Sequence, residues 1–132
     1  MLHALAALRE GQTKKAQEEL ASADRYELVV NMLSVNSFYG ALYPVYVRGE
    51  VFLKESKGVE AAAEFQKLID HRGIILADPT AAMARLKIGR AWHLAGDDVK
   101  AKAAYQDFLS LWNNADELPI LKQAKAENDQ LR

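Results

Sequence analysis

Two stretches decide how this chain folds: Gly49-x-x-Phe52 followed by Ala61-x-x-x-Phe65, and Gly89-x-x-Trp92 followed by Ala101-x-x-x-Tyr105. Leu68 and Phe108 extend the correspondence, and every pair is offset by 40 residues. A small residue with a large one three positions on, then a small residue and an aromatic four positions apart, describes two amphipathic helices facing each other. The small residue of the first helix lets the second approach closely, and the aromatic fills the space between neighbouring hairpins. One such hairpin cannot bury its apolar face alone, so the units must stack. A more degenerate unit precedes them through Ala4, Ala7, Gly11, Ala16 and Leu20, offset by 45 (Ala16 to Ala61, Leu20 to Phe65), and its Gly11 matches Gly96.

Local signals give a helix map. Helices are expected over about 2–9, 13–24, 41–55, 59–71, 79–95, 98–112 and 118–130. Pro44 and Pro79 suit a first helical turn, where the missing N–H removes no hydrogen bond. Asp78 is an expected cap before Pro79, and Gly96-Asp97-Asp98 should turn and cap the next helix. Gly73 and Asn113 are expected to close second helices in a left-handed conformation. The apolar segment Tyr26 to Gly40 either extends the second helix or packs over the first hairpin. Ile74-Ile75-Leu76 is expected to tuck against the stack.

These patterns resemble the tetratricopeptide repeat family. The stretch Tyr43-Pro44-Val45-Tyr46-Val47-Arg48-Gly49-Glu50 and the ending Pro119-Ile120-Leu121-Lys122-Gln123-Ala124-Lys125-Ala126-Glu127 also resemble the repeat-like segments towards the carboxy terminus of some large bacterial signalling proteins, including serine/threonine kinases and transcriptional regulators. The resemblance implies an all-α, right-handed helical-hairpin solenoid in one domain spanning 1–132. Its units are 1–25, 41–71 and 79–112, with a capping helix at 118–130. The chain departs from the family pattern in its longer periods, in lacking the proline after the second helices, and in Val45 and Arg85, where a large aromatic is usual.

Composition narrows the function. The formal net charge is −1 with charges of both signs interspersed, so no basic face is expected to neutralise nucleic-acid phosphates. The absence of cysteine excludes disulfides and thiolate chemistry, and fits a reducing, cytoplasmic setting. No apolar run is long enough for a membrane span. Met1 to Leu8 lacks a basic start and reads as a short amphipathic helix, not a signal peptide. His3, His71 and His93 are not spaced as metal ligands on one helix. Asp97-Asp98 reads as a cap, not a catalytic pair. No enzyme activity and no cofactor are therefore expected.

What remains is a surface. The family likeness implies a concave face lined by first helices, at Tyr43, Tyr46, Glu50 and Leu53 in one unit and Met83, Leu86, Arg90 and His93 in the next, with Leu5, Leu8 and Arg9 before them. Aromatic, aliphatic and arginine side chains suit a protein or peptide partner with apolar anchors. The basic clamp that some members use for acidic tails is not expected, because Tyr46 and Glu50 stand in its place. The alternative is a self-association module, in which this face makes a homodimer. Gly89→Ala should be tolerated, and the final helix should act as a cap with one apolar and one polar side.

Overall fold

The computed structural model describes residues 1–24, 42–71, 79–112 and 118–131. Among them are seven α-helices and no strand: α1 (Leu2–Arg9), α2 (Thr13–Ala21), α3 (Tyr43–Lys54), α4 (Gly58–Asp70), α5 (Pro79–Leu94), α6 (Asp98–Ser110) and α7 (Pro119–Asp129). Each expected helix is present, with ends displaced by up to three residues; α4 starts one residue earlier than expected. Pro44 sits in the first turn of α3 and Pro79 opens α5. Tyr26 to Gly40, Gly73 to Asp78, Asn113 and Asp116 lie outside the described residues.

Helices pack in chain order, each against the next, and α3 also touches α1 and α5. The α1/α2, α3/α4 and α5/α6 turns are closed in one way. Gly11, Ser56 and Gly96 each adopt a left-handed φ, of 75°, 59° and 81°. Their amides donate to Leu8, Leu53 and His93, and the next amides, of Gln12, Lys57 and Asp97, donate to Ala7, Phe52 and Trp92. This pair of bonds is the Schellman motif, and it recurs at the offsets of 45 and 40 seen in the sequence. Asp97 also caps α6, accepting a hydrogen bond from the Lys100 amide.

Three clusters form the core. Ala4, Ala7, Leu8, Ala16 and Leu20 bury Val47 and Val51 of α3. Val45, Ala61, Phe65 and Leu68 pack with Ala84, Ile88 and Ala91 of α5. Leu86, Ala101, Tyr105 and Phe108 pack with Leu121, Ala124 and Leu131, and Trp112 lies half-buried against them, its ring 6.4 Å from that of Phe108.

Glycines mark the close approaches. A Cβ on Gly49 would lie 2.6 Å from the Phe65 ring, and one on Gly89 would lie 3.0 Å from the Tyr105 ring. The repeated small residue admits the aromatic of its own hairpin; the close approach of the two helices is as expected, but the aromatic, expected between neighbouring hairpins, also fills the space within its own. Gly89→Ala is consequently less free than helix propensity alone suggests, since the Tyr105 ring must yield. The tightest approach was not foreseen. A Cβ on Gly58 would collide with the Ala91 carbonyl oxygen and lie 2.7 Å from the Ala95 nitrogen.

The last helix keeps the same register. Forty residues separate Pro79 from Pro119, Ala84 from Ala124 and Ala91 from Leu131. Both prolines lie in a first turn, and the other four residues are buried. On this numbering α7 stands where a further first helix would stand. Asp129 stands where Gly49 and Gly89 stand in the earlier units.

Candidate binding surface

The face carried by α3, α5 and α7 is tied together by charge. Glu50 Oε1 lies 2.7 Å from Lys87 Nζ. Arg90 grips Glu127 with two hydrogen bonds, Nε to Oε2 at 2.8 Å and Nη2 to Oε1 at 2.7 Å. Both pairs span 37 residues, and Glu50 and Arg90 are register equivalents, as are Lys87 and Glu127. The same rung therefore recurs between successive first helices with its signs reversed. One rung earlier the register places Leu5 and Val47, and Leu5 packs against the cluster that contains Val47.

Tyr105 completes the second rung by donating its hydroxyl to Glu127 Oε2 at 2.8 Å. Burial opposes ionisation of Glu127, but hydrogen bonds from Arg90 and Tyr105 outweigh it and hold the carboxyl below its ordinary 4.5. Arg90, bonded to Glu127, is held more firmly protonated than usual. Burial first, and Glu127 second, push the Tyr105 hydroxyl far above 10.0.

The tyrosines of α3 are also built in. Tyr43 and Tyr46 stack with ring centroids 6.1 Å apart, and Tyr46 meets Phe65 edge-on at 5.5 Å. Burial, reinforced by Glu50, raises the Tyr46 hydroxyl far above its usual 10.0.

The expected site residues thus divide. Tyr43, Tyr46, Glu50 and Leu53 share the α3 face, each half-buried. Arg90 and His93 lie on α5, and His93 is exposed with Nδ1 2.7 Å from Asp98 Oδ1. Met83 packs half-buried against the third core cluster. Leu86 is a correction: it is fully buried among Tyr105, Phe108 and Leu121, and no ligand can reach it. Leu86 lies three residues before Gly89, so it shares the side of α5 that meets α6. In the first unit Leu8 is buried, while Arg9 is exposed.

Where the face stays open, Leu53, Leu94, His93 and Gln130 border a hollow of about 290 Å³ floored by Arg90, Tyr105 and Glu127. Leu94 is 44% exposed. Lys87, Leu94, Tyr105, Glu127 and Gln130 were missed from sequence. Opposite charges at a constant spacing of 37 were the available signal for two of them. The hollow presents two leucines, an imidazole and an amide above a floor whose charges already neutralise each other. It offers no free nucleophile or acid–base pair on that floor.

No helix among the described residues is long and apolar enough to cross a membrane. No protein-family model, curated protein or solved structure matches the chain.

Proposed function

We propose that the chain is a right-handed helical-hairpin repeat of the tetratricopeptide kind, three hairpins closed by α7, that binds a protein or peptide along its first-helix face. The observation that carries this reading is the hollow between Leu53 and Leu94, an apolar recess on a face whose charges are internally paired. A partner's aliphatic or aromatic side chain enters between the leucines, and its backbone meets His93 and Gln130 at the rim. An acidic tail is a poor ligand here, because Lys87 and Arg90 already hold Glu50 and Glu127. The likeness to segments of bacterial signalling proteins supports a role within a larger regulatory protein.

Tyr46 and Arg90 hold the fold together, so they are poor positions for a test. His93→Ala with Leu94→Asp alters exposed residues; it removes the His93–Asp98 contact and places a carboxylate at the α5 C-terminus, so it should keep the helical signal with a melting temperature only a few degrees lower. The doubly substituted chain should lose the partners that the unaltered chain retains in a pull-down. Retention of every partner by the folded variant would refute the assignment of this face.

A further inference from the structure

The two joints between hairpins are made of different materials. Between the second and third hairpins the contacts are apolar or main chain. Gly58 of α4 lies against Ala91 and Ala95 of α5. Ala62, Phe65 and Leu68 share one buried cluster with Ala84, Ile88 and Ala91, and Ile69 and Ala104 pack against it.

Between the first and second hairpins the equivalent positions are polar at both ends. Thr13 and Gln17 stand where Gly58 and Ala62 stand one unit later, and Glu55 stands where Ala95 stands. Thr13 and Gln17 both hydrogen-bond the Glu55 carboxylate, Gln17 at 3.1 Å. At the other end Asp24, Arg48 and Glu64 stand where Ile69, Ile88 and Ala104 stand. Arg48 donates from Nη2 to Asp24 Oδ1 at 2.6 Å, across the joint, and from Nη1 to Glu64 Oε2 at 2.9 Å, within its own hairpin. Between these polar ends Ala16 and Leu20 meet Val47 and Val51. The first-helix face adds to the contrast. Charged rungs tie α3 to α5 and α5 to α7, whereas no ion pair among the described residues joins α1 to α3.

A close-packed apolar joint resists displacement, because sliding opens voids and the main-chain contact at Gly58 cannot repack. A polar joint yields more easily. Its hydrogen bonds exchange with water at small net cost, and the Asp24 side chain that anchors it is 60% exposed. Relative motion is the default for bodies joined by such contacts.

We propose that the first joint is a hinge, at which α1 and α2 swing as one hairpin against a rigid block formed by α3 to α7. The pivot is the apolar contact of Ala16 and Leu20 with Val47 and Val51. The Leu53–Leu94 hollow lies within the block, so the motion leaves its shape alone. What the hinge sets is how Leu5 and Arg9 line up with Tyr43. It is independent of what the hollow binds.

The chain has no cysteine, so nitroxide labels can be placed by substitution alone. Glu18, Ala63 and Ala103 are exposed register equivalents on α2, α4 and α6. Pulsed electron spin resonance on the full chain reads Glu18→Cys with Ala63→Cys across the first joint, and Ala63→Cys with Ala103→Cys across the second. The first distance distribution should be at least about twice as broad as the second. Asp24→Ala, an exposed change that leaves the helical signal intact, should broaden the first distribution further and leave the second unchanged. Asp24→Ile with Arg48→Ile and Glu64→Ala copies the second joint into the first and should narrow it to the width of the second. Equal widths in the original chain, a first distribution that Asp24→Ala does not alter, or a folded triple variant whose first joint stays broad would each overturn the hinge.

Discussion

Replacing Gly58 by alanine adds one methyl group at the tightest backbone approach between α4 and α5. That methyl would strike the Ala91 carbonyl oxygen and lie 2.7 Å from the Ala95 nitrogen and 2.9 Å from the Ala95 Cβ. Both polar atoms belong to one bond, the Ala95 amide donating to Ala91 at 3.0 Å, which closes the last turn of α5. Neither can rotate away, because both are main chain. Relief requires the first turn of α4 to retreat by about 1 Å, and overpacking of this kind costs about 2 kcal/mol. Weakening the Ala91–Ala95 bond adds about 1 kcal/mol. Alanine returns at most about 1 kcal/mol in helix propensity. The net expectation is a loss of about 2 kcal/mol, or about 8 °C in melting temperature for a domain of this size. Gly89→Ala is the internal comparison. Its methyl would meet only the Tyr105 ring, at 3.0 Å, and a side chain can give way. Its net change should fall within about 1 kcal/mol of zero. Thermal and urea melts followed by helical circular dichroism measure both. A Gly58→Ala chain as stable as the original, or more stable than Gly89→Ala, would refute the close backbone approach.

Three further outcomes are expected. Ser56 holds a φ of 59° that its register partners Gly11 and Gly96 satisfy with glycine, so Ser56→Gly should raise stability by about 0.5 kcal/mol in urea melts after the unfolded-state entropy of glycine is deducted. Glu127 has a folded pKa below its ordinary 4.5, so its contribution is complete above that value and is lost as pH falls through the folded one; urea midpoints across the acid range should drop less steeply for Glu127→Gln than for the original chain. Ending the chain after Asn114 would uncover Leu86 and Phe108, both 0% exposed, and should lower stability by about 3 kcal/mol or more or cause aggregation; an equally stable, soluble truncation would show that α7 is dispensable.

The elements readable in advance were those written in local chemistry. The Gly11 turn, the Gly96-Asp97-Asp98 turn with its Asp97 cap, and the first-turn prolines Pro44 and Pro79 marked helix boundaries among the described residues, and the 40-residue offset matched the Gly49–Phe65 hairpin to the Gly89–Tyr105 hairpin. What escaped were consequences of three bodies meeting. Gly58 reads as an ordinary turn residue until α5 is laid across it. Leu86 looks available on a helical wheel, yet its nearness to Gly89 turns it inward, where α6 and α7 enclose it. The candidate face was legible as residue types on α3 and α5, but not that its cations were already spoken for. Arg90 has its partner on α7, and only the helix register shows that Glu127 stands where Lys87 stood one unit earlier.

The reversed rungs also act as a reading frame. Duplicating one 40-residue period after α6 would set an Arg90 against a Lys87, cation on cation. Excising one would bring Glu50 to Glu127, anion on anion. An array whose joints all carried the same sign order would accept either change silently. This one resists gaining or losing a module, and lengthening it after α6 calls for a new unit with Glu at the Lys87 position and Arg kept at the Arg90 position.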